Sequence, residues 1–280
     1  QAGISATGTQ NTAVGYQSLS NDTAGGNTAT GYLAGNANVT GQYLTAIGYG
    51  AGKTQAGTTD DNNTWVGYQA GELANGSTVG GNTALGSDSL SALTTGYYNT
   101  SLGFWAGKGQ TTQTWNLAIG SQALTSNLAS QTTAVGGYSL NKNTSGVENC
   151  ALGYKSGWSQ AGASDDKNTW IGYRAGEVAN GSLLGQNTCV GGLSGYVITT
   201  AQSSASLGYG SLTSLTTGLG NTSIGKGSGT TVSTGSYNTF LGFEADPSAS
   251  GSTGQIVIGA SLTGTADTRV HIGNGTSHIY

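Results

Sequence analysis

The sequence predicts an all-β fold: a β-solenoid (parallel β-roll) of about 15 coils of 16–19 residues. Three observations predict it. A glycine recurs every 16 to 19 residues along the 280, from Gly15, Gly31 and Gly48 to Gly242 and Gly259, preceded by Val, Ile or Leu in all but one unit, where Thr30 stands. Around each such anchor a short stretch alternates with period 2, which reads as a strand. No stretch sustains the 3.6-residue period of an amphipathic helix. A fixed period of this length marks a stack of identical units, none of which can bury a core alone.

The consensus unit is N-T-A-Φ-G-Y-x-A-(G/L), followed by a variable polar loop. The Asn, four residues before the anchor in 11 of 15 units, predicts a ladder in which each amide bonds the next coil. Thr and the aliphatic residue then share one strand face, and Ala or Ser takes the other. The aliphatic face is expected to stack into the core, with Thr half-buried beside it. The Ala/Ser face is expected to let copies of the chain pack side by side, because small residues permit close approach. Trp65, Trp170 and Phe240 interrupt that small face. The anchor glycine is expected where the backbone turns with positive φ or another strand passes close. Loops of Gly, Thr, Ser and Asn supply the turns.

A coil this small encloses little apolar area and is marginal by itself. A homotrimer, intertwined or side by side, is therefore the expected assembly. A longer period is superposed on the short one. The spacings 17, 19, 19, 17, 17 return 105 residues later, and DDNNTWVGYQAGEL (Asp60–Leu73) is echoed by DDKNTWIGYRAGEV (Asp165–Val178). Residues 1–264 read as one repeat region containing this duplication, and 265–280 as a separate end segment.

N-T-A-V-G-Y-Q-S-L (Asn11–Leu19) and N-T-W-V-G-Y-Q-A-G (Asn63–Gly71) resemble the Gly-rich shaft repeats of bacteriophage tail fibres. They also resemble the head repeats of trimeric bacterial adhesins of the YadA type. The likeness runs from about Ala6 to Gly273. It implies a parallel β-roll, a homotrimer and a role in attachment to a cell-surface glycan or receptor. It also implies an extracellular location, on a phage virion or a bacterial surface. The final DTRVHIGNGTSHIY (Asp267–Tyr280) resembles the segment before the self-cleaving chaperone of many fibres, which implies that such a chaperone was removed.

Composition excludes several classes. Glycine makes up 51 residues and charged residues only 7%, with eight Lys and Arg against twelve Asp and Glu. A net charge of −4 does not provide the basic stripe that nucleic acid requires. No apolar run is long enough to insert in a membrane. GYGAGKT (Gly48–Thr54) fails the phosphate-loop spacing by one residue. Cys150 and Cys189 fall on opposite strand faces two coils apart, beyond disulfide reach, and read as buried small residues. Nothing suggests a catalytic site or a resident cofactor.

The candidate site residues are few. Asp60 and Asp61, with Asp165 and Asp166, pair carboxylates that could hold calcium through oxygen ligands or flank a sugar; solvated loop acids are the plainer reading. His271, at the Ala/Ser position of the last unit, would meet its copies on a trimer axis and bind a metal. Trp65 and Trp170, with Trp105, Trp115 and Trp158, are candidate receptor contacts, since exposed aromatics anchor many interfaces. The function expected is a non-enzymatic structural and adhesive fibre segment. The alternatives are a glycan depolymerase with carboxylates on the rod surface and an ice-binding protein with a Thr ladder.

Overall fold

A computed structural model describes residues 7–55, 61–74, 80–160, 166–179, 185–274 and 277–279. The chain is all-β, a parallel β-solenoid, and divides into two compact units, Gln1–Tyr138 and Ser139–Tyr280. In the first unit eight three-residue strands, from Thr12–Val14 to Thr133–Val135, pair in parallel, one per coil. In the second, eight more run from Cys150–Leu152 to Val270–Asn274, and Ser277–Ile279 adds an antiparallel strand. Each position of the repeat pairs with the same position of the next coil: Thr64 with Thr83, Trp65 with Ala84, Val66 with Leu85.

The Asn ladder forms as expected. The Asn82 carbonyl oxygen accepts a bond from the Asn99 backbone N–H at 2.9 Å, and that of Asn99 accepts from Asn116 at 3.0 Å. The Asn99 amide nitrogen donates to the Gln113 carbonyl at 2.8 Å. In the second unit Asn149, Asn168 and Asn187 repeat the chain of acceptors. Each buried amide thus ties a strand to the following coil and to its own turn. This meets the hydrogen-bonding demand of backbone that short strands leave unpaired.

The expected direction of the two strand faces is reversed. The central residue of the strand is the buried one: Ala29, Ala46, Trp65, Ala84 and Ala118 have no exposed surface. The aliphatic residue points out, Val14 being 57% exposed and Leu102 41%. Thr stands beside it, half-buried or exposed. The reason is the width of the coil. The wall opposite the strand carries Leu19, Leu90 and Leu124, which adopt positive φ and are fully buried. With those leucines filling the interior, the strand can contribute only a small side chain, because a close-packed core leaves no further volume.

Trp65 and Trp170 obey the same rule. Each indole lies in a coil whose turn carries glycine where Leu19, Leu90 and Leu124 stand in others, Gly71 for Trp65 and Gly176 for Trp170. A Cβ on Gly52 would lie 2.5 Å from the Trp65 ring, and one on Gly71 2.4 Å. Gly157 and Gly176 make the same room for Trp170. The large rings that interrupted the small face are therefore core residues with matched glycines.

Candidate functional site

The five tryptophans fall into two groups. Trp65 and Trp170 are fully buried, and each indole N–H donates to a glutamine side chain, Gln55 at 2.7 Å and Gln160 at 2.8 Å. Neither can touch a receptor, which corrects the expectation placed on them. Trp115 is 58% exposed and tilts against Tyr98, ring centres 4.5 Å apart. Trp105 is half-buried; its N–H donates to Asp88 at 3.2 Å, and Lys108 stands 4.0 Å over the ring. Trp158 is half-buried beneath Lys142, 4.1 Å from the ring centre.

His271 also lies inward. It is 2% exposed at the second position of its strand, and the Thr265 backbone N–H donates to Nε2 at 3.3 Å. The imidazole is enclosed by its own coil, so it does not reach an axis shared with other chains. The axial metal site is therefore withdrawn: the reversed strand face turns this position into the solenoid.

The acidic candidates serve the backbone. Asp61 Oδ1 accepts from the Gln42 N–H at 2.8 Å, and Asp166 Oδ1 from the Val147 N–H at 2.8 Å. Each carboxylate thereby bonds the preceding coil. Asp60 and Asp165 lie outside the described residues. Among the described residues no group of three or more His, Cys, Asp or Glu side chains converges. Glu72 pairs with Lys53 at 3.4 Å, and the buried Glu177 with Lys155 at 3.6 Å and with Arg174.

The cysteines are free, on opposite faces as the spacing required. Burial pushes the Cys189 thiol up to about 12, against partial relief from hydrogen bonds to Ser206 and Ser194. Such a thiol is inert at neutral pH.

The conspicuous exposed surface was not anticipated. In the first unit Val14, Ile47, Leu85 and Leu102 all present their side chains outward from in-register parallel strands. The second unit repeats this with Leu152, Leu207, Ile224 and Leu241. One turn further on, Tyr16, Tyr32, Tyr49 and Tyr68 stack face to face, their ring centres 5.3, 5.0 and 5.4 Å apart. Because the inner rings cover one another, they offer edges and hydroxyls to solvent rather than open faces. A signal for the burial of Trp65 and Trp170 was present in the sequence: each coincides with glycine at a turn position that several other coils fill with leucine.

Compared with known proteins, the chain matches no family model, no curated protein and no solved structure.

Proposed function

We propose that this chain is a non-enzymatic structural and adhesive fibre segment that assembles as a homotrimer and attaches to a cell-surface glycan or receptor outside the cell. The observation that carries the reading is the outward aliphatic rank. Isolated apolar side chains at a surface are ordinary, but a contiguous apolar strip marks an interaction surface. A strip repeated coil after coil suits partners with the same repeat, namely further copies of the chain. This reading puts the interface on the aliphatic face, one of the two strand faces between which the sequence does not choose. Asn ladders and in-register pairing give the stiffness that a fibre needs.

Trp115 and the tyrosine edges are the candidate contacts for the bound surface. The paired carboxylates that a depolymerase would need are represented by Asp61 and Asp166, each engaged by a main-chain amide. A labelled preparation of the chain should bind intact cells saturably and be displaced by glycan extracted from the same surface. Failure to bind any cell type bearing such glycans would remove the adhesive half of the proposal.

One observation favours a second reading. Thr and aliphatic residues form two parallel ranks on one exposed strand face, which brings the Thr ladder to solvent as an ice-binding surface would require. That reading requires the face to stay free, whereas a trimer covers it.

A further inference from the structure

The second unit gathers three of the eight basic residues of the chain in one patch. Lys142 and Lys155 stand over the Trp158 ring, at 4.1 and 5.2 Å. Arg174 lies over Tyr196 at 5.1 Å and donates to its hydroxyl at 2.9 Å. Glu177, with 6% of its side chain exposed, binds Arg174 and Lys155 together. A buried carboxylate that holds two long cationic side chains fixes their heads in advance, which lowers the entropy lost when a ligand binds. Three cations against one carboxylate leave an excess of two positive charges in a chain whose net charge is −4.

The internal duplication supplies a control. The equivalents 105 residues earlier are Ala37 for Lys142, Gly50 for Lys155, Lys53 for Trp158, Gln69 for Arg174 and Ser91 for Tyr196. The structural residues persist, Trp65 matching Trp170 and Glu72 matching Glu177. The two copies therefore share a core and differ at this patch. The solenoid does not need the cluster, so its chemistry is free to serve a ligand.

We propose that Lys142, Lys155 and Arg174, held by Glu177, Trp158 and Tyr196, form a binding site for a carboxylate-bearing oligosaccharide. The proposal rests on the adhesive reading and names the class of glycan. Cationic nitrogens take the carboxylate by charge-assisted hydrogen bonds. They and the Tyr196 hydroxyl serve the sugar hydroxyls. The exposed rings of Tyr154 and Tyr173, stacked 5.9 Å apart beside Lys155 and Arg174, border the patch and offer edges and hydroxyls to a sugar. An excess of only two charges fits the spaced carboxylates of an acidic glycan better than a dense acidic peptide.

The test is titration of the intact chain with a galacturonate oligomer, a neutral galactose oligomer of the same length and polyglutamate, at low and high salt. The galacturonate oligomer should bind saturably and weaken as salt rises, while the neutral oligomer does not bind. The double variant Lys142→Ala, Arg174→Gln carries the residues of the first copy, so the coil tolerates them. It should bind at least tenfold more weakly with an unchanged melting curve. Absence of saturable binding, unchanged affinity in the double variant, or equal affinity for polyglutamate would overturn the site. Cell attachment that survives the double variant would leave the adhesive reading standing without this site. Galacturonate binding by a chain that attaches to no cell would leave the site standing without that reading.

Discussion

Gly67→Ala should destabilise the first unit by more than about 4 kcal/mol, near the extreme for a single substitution. Two independent causes add. Gly67 holds φ +135°, a conformation that L side chains rarely adopt. A Cβ there would also lie 2.5 Å from the carbonyl oxygen of Gly86 in the next coil. That neighbour is backbone, its N–H held by the Val66 carbonyl at 2.8 Å and its carbonyl by the Ser89 N–H at 3.4 Å, so it has little freedom to yield. Gly50→Ala is the matched control. Its φ is +64°, and its nearest contact would be Gln69 Cγ at 3.5 Å, so the cost is about 1–2 kcal/mol for left-handed backbone alone. Urea denaturation of both variants measures the difference. Equal effects would mean that conformation, and not the approach of successive coils, makes the anchor glycine obligatory.

Trp65→Ala should cost about 3–5 kcal/mol, as expected for a fully buried aromatic. The indole is enclosed by Gly52 and Gly71, which carry no side chain that could move into the space. Its loss leaves a cavity and takes from Gln55 the donor it holds at 2.7 Å. Trp115→Ala should change stability by no more than about 0.5 kcal/mol, since that ring is mostly in solvent. Denaturation curves for the pair separate structural tryptophan from surface tryptophan. A small effect at Trp65 would return it to the surface and, with it, to the list of receptor contacts.

The stack itself was legible in the sequence. Fifteen anchor glycines in register prescribe coils, and an Asn four residues before most anchors prescribes a ladder with one acceptor per coil. Both depend on local geometry repeated identically, which a single sequence records fully. The inward face was not legible by the same reasoning. Period-2 alternation defines two faces of a strand without saying which meets the core, and hydrophobicity pointed to Val14 and Leu102. The interior was decided instead by residues from the opposite wall, Leu19 and Leu90, whose positive-φ turn positions direct them inward. The Trp65, Trp170 and His271 assignments all followed from that one choice and reversed together. The Lys142–Trp158–Arg174 cluster lay hidden for another reason. Its members belong to successive coils and meet only through stacking, although comparing the two copies 105 residues apart exposes it.

The outward aliphatic rank is the central claim, and native mass by light scattering tests it most directly. Wild-type chain should give a mass near three times 27.7 kDa. Leu102→Asp, which places a charge on the rank without touching the core, should fall toward 27.7 kDa while keeping its circular dichroism spectrum. A wild-type mass of 27.7 kDa at micromolar concentration would contradict the account, because the aliphatic face would then stand uncovered in solution.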